Sequence, residues 1–377
     1  MLRRFPKGWG FQPRPPSKKS GEGGGEEGFM RLTVAVPLAC AALLGVALVL
    51  KTSVSQFPQA EISNGQLRLK LYLPDAKHGY YRGARFDWSG TIGSLEYQGH
   101  QYYGPWFDSV DPKVHDYQDL GDQIIASPCS ADSGPVDEFK TRGTALGWDE
   151  AAVGGTFIKI GVGVLRKDDA HYDYVKQYEI VNPGRWTVKT DHNSVEFTQE
   201  LSDASSGYGY IYRKVVRLVD SKPEMLLEHH LKNTGRRTIQ SDVYNHNFLV
   251  LDKQAPGPDF VITFPFQLRS PKPPSEALAR IRGNQLVYSK VLRSGEVMET
   301  LLEGFGGSLR DNEIHIENRR VGAGVKITGD HPLSMLNVWS IRTVLAVEPY
   351  ITMTIEPGSE FSWGTTYDYH TLPSNTK

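Results

Sequence analysis

The chain has 377 residues with 42 Lys+Arg against 43 Asp+Glu, so it offers no global basic field to gather nucleic acid. Hydrophobic residues at 39% and charged residues at 23% suit a globular protein and exclude a disordered one. Two cysteines, Cys40 and Cys129, exclude a disulfide framework and a cysteine-rich zinc site.

Residues 1–29 are basic and then glycine-rich, with nothing to bury, and read as disordered. Leu32–Leu50 carries no charge. At 1.5 Å rise per residue such a run just spans a hydrocarbon core of roughly 30 Å. Residues 30–51 are therefore expected to form a transmembrane helix or a signal peptide. The positive residues before it place the remainder of the chain across the membrane. The expected localisation is membrane-anchored or secreted, with the body on the periplasmic or extracellular side. The expected partners are the membrane, through this helix, and no nucleic acid.

From residue 56 to 377 the dominant hydrophobic period is two. Thr156–Leu165, Gly209–Val219, Met225–Leu231 and Ile351–Phe361 are β-branched or aromatic runs, bounded by turns such as Asn182-Pro183-Gly184 and Asn233-Thr234-Gly235. Glu276–Arg282 is the best short helix candidate, and Ser270–Ser275 reads as a surface loop. The body is expected to be one all-β unit, a large antiparallel sandwich.

Three segments carry a more specific pattern. Asp87–Gly104 (DWSGTIGSLEYQGHQYYG) has the form of an opening hairpin. Leu226–Leu249 is a strand, an Asn-Thr-Gly turn and a strand ending in Asn245-His246-Asn247-Phe248. In Val338–Tyr369, Glu348 precedes a strand, a Pro357-Gly358 turn and a closing strand. In this order, over most of residues 60–370, these pieces resemble the galactose mutarotase-like family, which includes aldose 1-epimerase and glucose-6-phosphate 1-epimerase. The resemblance implies a β-supersandwich that binds a mono- or oligosaccharide on a concave face. It implies Glu348 as the base that takes the C1 hydroxyl proton and His246 as the acid at the ring oxygen. No cofactor is expected. With His229 and His230 on opposite strand faces and no ligand spacing around His115 and Asp116, no structural zinc is expected either, while calcium held by loop carboxylates stays open.

Strand alternation bears on the same residues. Asp242, Tyr244, His246 and Phe248 share one face of their strand, while Val243, Asn245, Asn247 and Leu249 share the other. Glu348, Thr352 and Thr354 share a face opposite Val347, Ile351, Met353 and Ile355. His246 and Glu348 are thus expected to confront each other across a hollow about as wide as a sugar ring. Tyr244 and Phe248 would be the aromatic floor, and Arg82, Arg85, Trp106, Glu138 and Arg142 further substrate contacts. The family also brings a second histidine into the Gly134–Trp148 region, where this sequence has Asp137 and Glu138. A carboxylate cannot donate to a sugar oxygen unless protonated. A non-catalytic carbohydrate-recognition module is therefore the alternative to an aldose 1-epimerase-like isomerase, with a polysaccharide lyase-like protein a more distant third.

Overall fold

The computed structural model describes residues 57–373, and those residues fold as an all-β sandwich. The expected leader and apolar span, residues 1–51, lie outside the described residues. Among the described residues no helix is long and apolar enough to cross a membrane.

The larger sheet has ten strands. Its first half runs through Arg185–Thr190, Ser194–Asp203, Tyr208–Leu218 and Glu224–Asn233, joined antiparallel by short turns. Alternation makes these strands: in Ser194–Asp203, Val195, Phe197, Gln199 and Leu201 are buried and the residues between them are half-buried. Glu360–Thr371 then pairs with Glu224–Asn233, so the chain's last described strand lies mid-sheet. The Pro357-Gly358 turn delivers it, with Gly358 at φ +82°, a left-handed conformation that glycine adopts without strain.

The smaller sheet has five strands in the order Met298–Leu301, Met335–Ile341, Val344–Ile355, Ile239–Phe248, Gly134–Lys140. One face packs on the larger sheet. Phe139, Val243, Ile351, Met353 and Ile355 meet Tyr210, Tyr212, Leu231 and Trp363, and Leu336, Val338 and Val347 join Tyr367 and Tyr369. Burying a large apolar side chain of this kind contributes about 1.5–3 kcal/mol. The other face meets a second apolar cluster from residues 81–178, including Tyr81, Phe86, Trp88, Trp106 and Cys129.

Two sequence expectations are corrected. Glu276–Arg282 contains no helix: Ala279–Arg282 is a strand paired with Gln285–Tyr288 across Gly283, which sits at φ +63°. The short apolar spacing there is equally a strand's, and the left-handed glycine closes a hairpin. Thr156–Leu165 is two strands, Thr156–Lys159 and Gly163–Arg166, folded back on each other. Gly161 makes that turn at φ +80°, and a Cβ there would lie 2.6 Å from Asp87 Oδ1.

Candidate functional site

The register of the smaller sheet decides where the predicted residues go. Ile239–Phe248 pairs with Val344–Ile355 from Ile239↔Ile355 to Tyr244↔Tyr350, and the same register recurs at Leu249↔Leu345. His246 and Glu348 are therefore opposite one another on adjacent strands and share a face. On that face also stand Tyr244, Phe248 and Tyr350, with Glu138 and Lys140 on one flanking strand and Asn337 and Trp339 on the other. The predicted alternation holds: Asn245 and Asn247, on the opposite face, both accept from the Tyr367 hydroxyl inside the sandwich (2.5 and 2.7 Å).

His246 Nε2 lies 3.3 Å from Glu348 Oε1. The separation differs from the expected sugar-width gap, because cross-strand pairing sets side chains side by side on one surface. Both residues are nearly enclosed, 4% and 5% exposed, yet they lie outside the apolar layer between the two sheets. Glu348 Oε2 accepts from Asn337 Nδ2 (3.2 Å) and from the Tyr350 hydroxyl (3.4 Å). The His246 ring stacks on Phe248 at 3.8 Å, with Phe86 and Trp339 edge-on at 5.6 and 5.9 Å. Its Nδ1 is buried without a hydrogen-bond partner. Such an atom costs free energy unless something reaches it.

These surroundings set the charge states. Burial pushes the Glu348 carboxyl up to about 7, with Lys140 and the Asn337 amide only partly opposing it. Burial, reinforced by Arg85, holds the His246 imidazole well below its ordinary value, so it is neutral at pH 7. The face therefore presents an uncharged imidazole beside a carboxyl that exchanges its proton near neutrality, a combination suited to acid–base chemistry.

Next to this pair, Glu138 is completely buried. It accepts from Arg85 Nε (2.9 Å), Lys159 Nζ (3.2 Å) and the Tyr244 hydroxyl (2.5 Å), and Lys140 Nζ is 3.9 Å away. Burial alone would raise its pKa, but Lys140, Lys159 and Arg85 together hold it far below the carboxylate range. Glu138 is thus a permanent anion that orients Arg85 and Tyr244.

The remaining predicted residues divide. Arg85 belongs to the cluster, with its guanidinium 4.4 Å from the Phe86 ring and 4.8 Å from Tyr174. Trp106 is buried, stacked on Phe248 at 5.7 Å and donating through Nε1 to Asp132 O (3.0 Å), so it backs the His246 wall. Arg82 is exposed and donates to Lys77 O. Arg142 is exposed at a left-handed turn residue, φ +51°, and donates to Gln240. Neither arginine joins the cluster. Sequence reasoning missed Lys140, Lys159, Tyr174, Asn337, Trp339 and Tyr350. Lys140 was within reach, two positions beyond Glu138 on the same strand face; the others needed the strand pairing.

No protein-family model matches the chain, and no curated protein does. Many solved structures similar to it are galactose mutarotase-like or aldose 1-epimerase proteins. A galactose mutarotase related enzyme from Lactobacillus acidophilus aligns over 85% of this chain and 99% of its own at 12% identity, TM-score 0.48. An aldose epimerase homologue from C. elegans aligns over 84% and 100% at 12% identity, TM-score 0.45. A galactose mutarotase-like protein from Clostridium acetobutylicum aligns over 83% and 95% at 11% identity, TM-score 0.47. These are likenesses of chain trace at low identity, and the functional reading rests on the geometry above.

Proposed function

We propose that the protein is an exported, aldose 1-epimerase-like isomerase that opens and recloses a sugar ring with His246 and Glu348. The single observation that carries this is the 3.3 Å juxtaposition of a neutral imidazole, one nitrogen unpartnered, with a carboxyl titrating near 7. Anomerisation requires a proton to leave the C1 hydroxyl and another to reach the ring oxygen; C1–O5 then breaks, the aldehyde rotates, and closure on its other face gives the second anomer. The charge states favour reversing the roles that the family resemblance implies. Neutral His246 accepts the C1 hydroxyl proton and protonated Glu348 supplies the ring oxygen. The resulting imidazolium and carboxylate are adjacent, which stabilises the open-chain intermediate and lets ring closure return both protons. Half-buried Tyr117, Tyr174 and Trp339 are the rings toward solvent that suit the apolar faces of a hexose.

The test is the rate of mutarotation of D-galactose and D-glucose, by polarimetry or exchange NMR. Wild type should exceed the buffer rate, and His246→Ala and Glu348→Gln should each lower the catalysed rate by about 10²-fold or more. Equal rates in wild type and variants overturn the mechanism.

A second reading, a non-catalytic carbohydrate-recognition module, draws support from Glu138. It occupies the region where the resemblance implies a second histidine, and its oxygens are committed to Arg85, Lys159 and Tyr244. Calorimetric binding of a sugar with no turnover decides for it.

A further inference from the structure

The face that carries His246 and Glu348 runs on past them to the edge of the smaller sheet. Strand register sets Val136, His246, Glu348, Asn337 and Leu301 side by side in one row across all five strands. Exposure rises along this row in one direction only. It goes from 0% at Val136 through 4%, 5% and 8% at His246, Glu348 and Asn337 to 40% at Leu301. The next row repeats the trend: Phe248 and Ala346 are buried, Trp339 is half-buried and Glu299 is exposed. The face therefore emerges into solvent at Met298–Leu301, the edge strand. Trp339 meets His246, Tyr117 and Trp106 at steep angles, 69°, 76° and 78°, and no aromatic ring among the described residues lies parallel on it. Leu301 extends that apolar floor. Glu299 stands opposite Trp339, within electrostatic reach of Lys272. Lys272 belongs to the Ser270–Ser275 loop, which is tied to the edge strand: Thr300 Oγ1 donates to Lys272 O (3.1 Å) and meets Ser270 Oγ (3.0 Å).

We propose that this emerging end of the face is a second sugar subsite, and that the substrate is the reducing end of an oligosaccharide. Glu348 and Leu301 stand two strand spacings apart, roughly 10 Å, which exceeds the breadth of one pyranose ring. A hexose reacting at His246 and Glu348 thus leaves room for a further unit before the sheet ends. Trp339 and Leu301 give that unit the apolar surface its C–H faces need, while Glu299 accepts from its hydroxyls and Lys272 donates to them. A glycosidic remainder directed the other way meets Val136 and Glu138, both sealed from solvent. The inference rests on the isomerase reading and narrows its substrate from any free aldose to a sugar chain with a free reducing end.

The experiment compares glucose with maltose, cellobiose and isomaltose, which share glucose as the reducing unit. Exchange NMR gives kcat/KM for anomer interconversion, and calorimetry gives Kd independently of turnover. At least one disaccharide should exceed glucose about tenfold in both, the gain that a stacked ring supplies. Trp339 also packs against His246, so the variants are placed at the exposed positions instead. Leu301→Asp and Glu299→Gln should each cut the disaccharide-to-glucose ratio by about threefold or more. A ratio near one for all three disaccharides, or a preference that both variants retain, overturns the proposal. Tighter disaccharide binding that the variants abolish, in a protein without turnover, keeps the subsite and sinks the isomerase reading. Mutarotation of glucose with no disaccharide preference does the opposite.

Discussion

Asp137 and Glu138 are consecutive carboxylates on one buried strand, and they leave it on opposite faces of the smaller sheet. Asp137 points into the sandwich, where it accepts from Lys214 Nζ (2.8 Å), Asn245 Nδ2 (2.7 Å) and, at 3.0 Å, faces His229 Nε2. Lys214 is fully buried, also 3.5 Å from Asp87, and His229 lies flat on Trp363 at 4.6 Å. Burial would raise the Asp137 pKa, but Lys214 and then His229 overcome it and hold it far below the usual range. Each ionic group of that inner network has its counter-charge, and the arrangement locks two sheets together. The outer face uses the same ingredients differently. Glu138 is equally saturated, but one strand over it leaves His246 Nδ1 unpartnered and Glu348 near its midpoint of titration. A saturated buried network serves rigidity, whereas an incompletely satisfied one on the reverse of the same sheet stores reactivity.

The sharpest way to break this contrast is at Lys214. Lys214→Met leaves Asp87 and Asp137 buried with their principal cation removed, and breaking a buried pair from one side costs about 3–5 kcal/mol. Chemical denaturation should show that loss, while Glu348→Gln, which neutralises a group already close to neutral, should stay within about 1 kcal/mol of wild type at pH 6. Equal stabilities of the two variants would erase the distinction between the faces.

A second measurement sharpens it through pH. The Glu348 carboxyl is raised from 4.5 to about 7 in the fold, so between those pH values the folded state binds more protons than the unfolded one. Unfolding free energy then falls as pH rises, by up to about 3 kcal/mol across the window, and the loss is complete above the folded pKa. His246 acts in the opposite sense below about pH 6.5, because its imidazole stays neutral in the fold while the unfolded one charges. The informative quantity is therefore wild type minus Glu348→Gln, followed from pH 4.5 to 8. It should decline toward high pH, and a flat difference means that Glu348 is not held protonated.

The fold was legible because alternation and turn chemistry are local. The hairpin of Ile92–Tyr97 and His100–Tyr103 lies inside the predicted Asp87–Gly104 segment, and the faces of Ile239–Phe248 and Val344–Ile355 follow from a period of two. The site was legible only as far as each strand spoke for itself. His246 and Glu348 could be assigned faces, but their 3.3 Å contact depends on pairing between segments a hundred residues apart, which no local pattern encodes. Arg82 and Arg142 looked like ligands by residue type; their positions in exposed turns come from backbone geometry, including the left-handed φ of Arg142. Asn337 and Tyr350, which touch Glu348, carry no signal in the sequence beyond polarity.

Those two arginines supply the smallest effect, and a useful one. Arg82 makes its contact to Lys77 O, and Arg142 to Gln240 Oε1 at 3.3 Å, both at the surface. Replacing exposed side chains with such contacts shifts stability by no more than about 0.5 kcal/mol. Arg85 has the same chemistry but is enclosed, within hydrogen-bond distance of both Glu138 and the Tyr244 hydroxyl. Sugar affinity, measured by calorimetry, should therefore be indifferent to Arg82→Ala and Arg142→Ala and fall at least about tenfold in Arg85→Lys, which keeps the charge and loses the planar fork. A uniform response across the three would mean that charge alone recruits the ligand, and that the geometry around Glu138 has no part in recognising it.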